Sequence, residues 1–366
     1  MSEKQQRQLV NLSLVETRTD IDVDEKSEGK RVDQVIQKRL SWLSRAKIKQ
    51  SCEERRVLRN GQPVPSGRRV KAGDKVVLIH PEPYEDLTDM DRITWGTLFE
   101  DEFILVINKP PHLVVHPAGA YRYTTLLNAL HKKYLGDKRE VFEQDRVPRL
   151  VHRIDKETSG VLVAAFEREA HGILGKLFQV HSDAIEKEYI ALVEGRIEWD
   201  EQDVEANIGI PDNDTIRIRR CVREDGQYAR TTVKVLERFA QFSLVRCKLH
   251  TGRQHQIRLH MQHLGHPLVG DHLYGVRDEL READISSPDT PAFRYGQIYL
   301  DDSVSNIEAS DRIREVDFVK RREYWDIEAG REIYREGFGR LLLSRCALHC
   351  ARMVFPHPVS DQRMSF

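Results

Sequence analysis

The stretch His152-Arg153-Ile154-Asp155-Lys156-Glu157-Thr158-Ser159-Gly160, which runs straight into Val161-Leu162-Val163-Ala164-Ala165-Phe166, carries the reading of this chain. A charged string closes on Thr-Ser-Gly and enters an apolar run, so Asp155 and its basic neighbours stand at the entrance of a buried strand. Partial burial can tune an acid held there. A solvated loop would carry the same charges, and the string alone leaves both readings open. Working outward, branched and aromatic runs recur at 103–107, 189–193, 231–236 and 242–249, and Leu113-Val114-Val115 reads as a further strand. Helical periodicity interleaves at 125–134 and 169–180. Strand excess with wide spacing predicts an α+β domain on a mixed, largely antiparallel sheet.

With 366 residues, the chain is long enough for two domains. Hydrophobic residues at 39% and charged residues at 32% describe a globular protein with a highly charged surface. Its apolar runs fall far short of the roughly 20 residues a membrane-crossing helix needs, and residues 1–9 lack the apolar core of a signal peptide. A cytoplasmic monomer is therefore expected. The five cysteines, Cys52, Cys221, Cys247, Cys346 and Cys350, are scattered and read as reduced thiols.

A formal net charge of −1 argues against a polyanionic partner only until the charge is divided along the chain. Residues 30–80 hold 14 Lys+Arg against 4 Asp+Glu, a local charge of +10. A segregated basic block suits a module that neutralises phosphates and releases their counterions. Within it Val32, Val35, Ile36 and Leu40 fall at helical spacing, and Ser44 is positioned to cap a second helix through Ile48 and Cys52. Asn60-Gly61 marks a tight turn between short strands. Residues 1–29 read as a flexible tail, 81–97 as a linker with an acidic run, and 98–366 as the second domain.

The order Arg31-Val32-Asp33, Ser44-Arg45, Val57, Asn60-Gly61 and Gly73-Asp74 resembles the small RNA-binding module first known from ribosomal protein S-four. That resemblance makes Arg45, Lys47, Lys49, Arg55 and Arg56 candidate RNA contacts, to phosphates rather than bases. In the second domain, the string around Asp155 resembles the His-Arg-Leu-Asp-x-x-Thr-Ser-Gly signature of the RluA-like pseudouridine synthases, with Ile154 as a volume-conserving exchange. Lys187-Glu188-Tyr189, the word from Thr251 through Arg253 and Ile257 to His260, Gly270-Asp271 with Tyr274-Gly275, and Leu348-His349-Cys350 match further family words in order.

The resemblance implies an isomerase that converts uridine to pseudouridine in RNA without metal or nucleotide cofactor, with ribosomal RNA of the large subunit favoured and transfer RNA as the alternative. It implies Asp155 as the catalytic carboxylate, acting either as nucleophile or as base. Arg253 is expected to hold Asp155 ionised, Tyr189 to pack beside the uracil, and Arg153 to enter the RNA when the nucleotide is flipped out. Ile257 and Leu348 are expected to line the uracil pocket. Competing readings are an RNA-binding assembly factor with an idle site, and a carboxylate hydrolase of nucleosides or glycosides, which wants a second positioned acid. The histidines around 255–272 lack zinc-finger spacing.

One departure stands out. An insertion spans about 276–344, and its segment 276–340 carries 16 Asp+Glu against 11 Lys+Arg. Ser286-Ser287, Pro288 and Pro291 read as loop, while the spacing of Ile307, Ile313, Val316, Val319 and Tyr324 reads as helix.

Overall fold

The computed structural model describes residues 11–286 and 334–366, apart from positions 16, 41–42, 82–84, 119–120, 139–140, 143–144, 181–183, 213, 215, 217 and 336–338. The helix expected around Ile307 to Tyr324 and the loop at Ser287, Pro288 and Pro291 lie outside the described residues.

The basic module consists of β1 (Arg18–Asp22), α1 (Val32–Arg39), α2 (Arg45–Glu53), β2 (Val57–Arg59), β3 (Gln62–Pro63) and β4 (Lys75–Ile79). Its sheet runs β1-β4-β2-β3, antiparallel throughout. Val32, Ile36, Ile48, Val57 and Val76 form a core with no exposed surface. Ser44 caps α2 by accepting from the Lys47 N–H. Asn60 and Gly61, with φ of 50° and 81°, supply the two left-handed residues a tight two-residue hairpin needs.

The flexible tail expected over 1–29 is corrected for its described part, residues 11–15 and 17–29, while residues 1–10 lie outside the described residues. Residues 18–22 form β1 and pair with β4 from Arg18↔Ile79 to Asp22↔Lys75. Thr19 is buried and Ile21 packs on the module core, a short alternation that the surrounding acids obscure in the sequence. Further upstream, Asn11 donates through Nδ2 to the carbonyls of Gly136 and Lys138 at 2.9 and 3.0 Å. The Leu12 N–H donates to His131 Nδ1 at 3.0 Å, and Asn128 donates to the Leu12 carbonyl at 2.5 Å. The segment before the module is thus strapped to the second domain.

The second domain continues with α3 (Asp89–Arg92), β5 (Gly96–Glu100), β6 (Ile104–Lys109), α4 (Leu126–Leu135), β7 (Arg149–Leu150), β8 (Ser159–Ala165), α5 (Arg168–Gln179) and β9 (Glu186–Glu194). There follow β10 (Glu201–Glu205), β11 (Ile208–Gly209), β12 (Cys221–Val222), β13 (Arg230–Arg238), β14 (Phe242–Leu249) and α6 (Gln256–His263). The rest is β15 (Leu280–Arg281), α7 (Glu282–Ser286), β16 (Tyr334–Arg335), β17 (Gly339–Leu343), β18 (Leu348–Pro356) and β19 (Arg363–Ser365).

The main sheet has the order β10-β13-β14-β9-β18-β8-β6-β5, with β7 on β8 and β19 on β18. Every pairing in it is antiparallel except β18 with β8. This is the mixed, mostly antiparallel α+β fold that the strand runs predict. All seven residues of β8 are buried, which is why that segment reads as one apolar run rather than an alternation.

Two further expectations change. Leu113 and Val115 are buried, but residues 113–115 form no strand, because the carbonyls of Val114 and Val115 accept the N–H groups of Leu126 and Leu127 at the start of α4. The expected linker over 81–97 holds α3 and the start of β5. Its Glu85 carboxylate accepts from the backbone N–H groups of Arg122, Tyr123 and Thr124. The described ends of the insertion form the small sheet β15-β17-β16.

Candidate active site

Three words far apart in sequence meet in one row across the main sheet. Cys350 of β18 pairs with Gly160 on one side and with Tyr189 of β9 on the other. The approach at Gly160 leaves no room for a side chain: a Cβ there would stand 2.2 Å from the Cys350 carbonyl oxygen, and φ is +112°. The glycine that ends the string around Asp155 therefore lets β18 come alongside, and β18 brings Tyr189 to the same end of the sheet as Asp155.

The loop between Asp155 and β8 is held from below. Lys109, fully buried, donates its ammonium to the carbonyls of Pro110, Leu113 and Lys156 at 2.6, 3.0 and 3.1 Å. The Glu157 carboxylate accepts from the Cys346 N–H at 2.9 Å, tying the loop to the approach of β18. His152 stacks on Phe178, with ring centroids 4.6 Å apart, and accepts from the Val163 N–H. Burial lowers its pKa to about 3, so it is a neutral scaffold rather than an acid or base.

Above this loop opens a cavity of about 370 Å3, lined among others by Asp155, Arg153, Tyr189, Ile257, Arg258 and Leu348. Its volume suits a nucleotide base with room to turn. The structure thus gathers the expected Asp155, Tyr189, Ile257 and Leu348 around one space, with exposed Arg153 at its edge. Arg253 also lines it.

The expected ion pair of Asp155 with Arg253 is not formed, and this is the main correction to the site. Arg253 precedes α6, and its guanidinium turns away, with Nε donating to the Tyr228 carbonyl at 3.0 Å. The cation against Asp155 is Arg258, one turn into α6, whose Nη1 donates to Asp155 Oδ2 at 3.3 Å. Arg258 is itself fixed by a two-pronged pair with Asp271: Nε to Oδ2 at 2.6 Å and Nη2 to Oδ1 at 2.7 Å. Burial alone would drive both toward neutrality, but mutual attraction raises the Arg258 pKa and lowers that of Asp271. The fork leaves Nη1 free to serve Asp155.

Asp155 is therefore asymmetric. Its Oδ2 receives Arg258 and faces His255 Nε2 at 3.9 Å, whereas no hydrogen bond among the described residues reaches Oδ1. His255 begins α6 from a left-handed backbone, φ 58°, and burial lowers its pKa to about 4. Tyr189 is also buried. Its pKa is pushed well above the ordinary phenol value, first by burial and then by the neighbouring Cys350, so the side chain stays a neutral phenol.

Arg258, Asp271 and His255 lie within the sequence words already quoted but carry no expected role there. The available signal was charge inside an apolar helix: Arg258 sits between Ile257 and Leu259, and a charge in that setting demands a partner. The histidines are spent separately. His260 lies between Thr231 Oγ1 and the Ala206 carbonyl, and His266 contacts the Glu194 carbonyl. No group of three potential metal ligands stands together among the described residues.

On the module, Arg45, Lys47, Lys49 and Arg55 are exposed on α2 and the turn after it. Arg56 is half-buried and pairs with Glu54, so it is the least available of the five.

Comparison with known proteins matches two separate stretches of the chain. Residues 103–263 match the family model described as RNA pseudouridylate synthase, and residues 30–76 match that of the S4 domain. The chain is 37% identical over 260 residues to the Bacillus subtilis protein titled "Uncharacterized RNA pseudouridine synthase YlyB", spanning 70% of this chain and 83% of that protein. It is 36% identical over 265 residues to the Nitrosomonas europaea protein titled "Ribosomal large subunit pseudouridine synthase D", spanning 71% and 73%.

Proposed function

The chain belongs to the RNA pseudouridine synthase family, and from that premise we propose that it isomerises specific uridines of large-subunit ribosomal RNA with Asp155 as its catalytic carboxylate. The observation that carries the assignment of Asp155 is its asymmetry at the floor of the cavity, one oxygen held by Arg258 and the other without a partner among the described residues.

The reaction breaks the bond between N1 of uracil and the sugar, turns the base, and rejoins it through C5, with the C5 proton balanced by one gained at N1. Arg258 holds Oδ2 of Asp155 at the start of this sequence, and Oδ1 is the oxygen free to meet the nucleotide. It does so as nucleophile or as base. Tyr189, Ile257 and Leu348 enclose the uracil, whose turning requires a pocket that excludes water without gripping one edge. Arg153, exposed at the cavity edge, fills the place of the extruded nucleotide. Arg253, which also lines a second cavity of about 640 Å3 with Arg220 and Arg223, fits a contact to the flanking RNA backbone. Arg45, Lys47, Lys49 and Arg55 supply phosphate contacts at a distance from the reaction.

Large-subunit ribosomal RNA is favoured by the titles of relatives such as the Nitrosomonas europaea protein. Pseudouridine mapping of ribosomal and transfer RNA from cells with and without the gene tests both substrate and activity. The expected result is one or a few large-subunit positions that revert to uridine, restored by the wild-type gene but not by Asp155→Asn. Loss confined to transfer RNA would refute the substrate, and no change in either RNA would refute the activity.

A further inference from the structure

The contact of His255 with Asp155 has a third member on the far side of the ring. The Tyr274 hydroxyl lies 2.7 Å from His255 Nδ1 and accepts the backbone N–H of Arg220 at 2.9 Å. A phenol has a single proton. With the Arg220 N–H occupying a lone pair, the only acceptor for that proton among the described residues is Nδ1. A neutral imidazole that accepts at Nδ1 carries its own proton at Nε2, and Nε2 faces Asp155 Oδ2 at 3.9 Å.

We propose that Tyr274 is a positioning residue acting through His255: its hydroxyl fixes the imidazole as the Nε2–H tautomer, so that a neutral N–H joins the Arg258 guanidinium on Oδ2 of Asp155 and leaves Oδ1 to the nucleotide. The proposal rests on the reading of Asp155 as the reacting carboxylate. Its chemistry follows from the choice of donor. A second cation on Oδ2 would deepen the stabilisation of the carboxylate and blunt it as nucleophile or base, whereas a neutral N–H orients it at lower cost to its reactivity. Contacts of this kind, here 3.9 Å long, tighten when substrate is bound.

Several features hold the ring in place. Tyr274 is 6% exposed and packs with Ile208, Ala229, Leu259 and Leu273. The two rings meet edge to face with centroids 5.5 Å apart, and the Arg258 guanidinium lies 5.0 Å from the centre of the Tyr274 ring. Burial keeps the Tyr274 phenol protonated, with its pKa raised to about 12, and His255 neutral. The pair is thus a defined donor and acceptor throughout the neutral range.

Imidazole nitrogen correlation spectra of the full-length protein, with the His255 signals identified by their loss in His255→Gln, read the tautomer directly. We expect a proton on Nε2 and none on Nδ1. Kinetically, Tyr274→Phe keeps the packed ring and is expected to lower kcat about tenfold with KM within about twofold, the signature of an interaction that matters at the reacting centre. Glutamine carries an amide N–H near the place of Nε2 and has no tautomer to fix, so adding Tyr274→Phe to His255→Gln should lower kcat no further. An Nδ1–H ring in the wild type, an unchanged kcat in Tyr274→Phe, or an equal loss in both backgrounds would overturn the proposal. A wild-type protein inert on every RNA would instead overturn the reading of Asp155, and the tautomer, read without turnover, tells the two failures apart.

Discussion

Replacing Asp271 with asparagine tests whether the buried fork is what supports the site. Asp271 is fully buried, makes two bonds of 2.6 and 2.7 Å to Arg258, and also accepts the N–H groups of Leu273 and Tyr274 at 3.0 and 3.1 Å. Asparagine keeps the shape and one oxygen. Its amide nitrogen, however, must face either a guanidinium or a backbone N–H, which sets donor against donor. Arg258 would then keep Asp155 as its nearest acid, at 3.3 Å. Removing one partner of a buried pair costs about 3–5 kcal/mol, and a pair of charges at about 4 Å and an effective dielectric of about 20 is worth about 4 kcal/mol.

For a domain of this size such a loss lowers the melting midpoint of the catalytic domain by roughly 6–20 °C. A guanidinium displaced by about 1 Å lowers turnover about 100-fold. Differential scanning calorimetry and single-turnover pseudouridine formation at saturating protein measure the two effects. A companion double variant, Asp271→Leu with Arg258→Met, removes both charges. It is expected to regain most of the stability and none of the activity. A midpoint within about 2 °C of wild type together with unchanged turnover in Asp271→Asn would refute the reasoning.

Other outcomes follow from the same geometry. Gly160→Ala places a Cβ against the Cys350 backbone at a φ of +112°, and should destabilise the catalytic domain by about 4 kcal/mol or more in denaturant titration. The strap at Leu12 should loosen in acid. His131 accepts the Leu12 N–H only while neutral, and burial depresses its pKa to about 4, so its contribution is complete above the unfolded value near 6.5 and is lost as pH falls from there through 4. Hydrogen exchange of residues 11–13, corrected for intrinsic rates, should therefore show less protection at about pH 4 than at about pH 7, and equal protection would count against it. Deleting residues 1–80 should weaken RNA binding and flatten its salt dependence, by about 0.9 in the slope of log K against log salt for each phosphate that the module neutralises. It also removes the strap, leaving Asn128 without Leu12, so the truncated enzyme should melt earlier even where it remains active. An unchanged slope would show that the module does not hold RNA.

What the sequence by itself determined lies in local rules. Asn60-Gly61 forms its hairpin because two adjacent residues must take positive φ, and few other pairs do so cheaply. Residues 161–166 read as a buried strand because every side chain is apolar, and α5 announces itself through Ala170, Leu174 and Phe178 on one face. The words around Asp155, Tyr189 and residues 251–260 carry family identity for the same reason: each is a contiguous piece of chain. Partnership between distant residues is not written that way. Arg253 and Arg258 are both arginines of one word, and only the start of α6 between them decides that the first turns out toward Tyr228 and the second in toward Asp155. The acids near residue 20 hide a strand whose partner, β4, lies far along the chain, and the carbonyls of residues 114 and 115 leave the sheet to cap α4. In each case the deciding quantity is a distance of about 3 Å across folded chain, set by which donors and charges burial leaves in need of a partner.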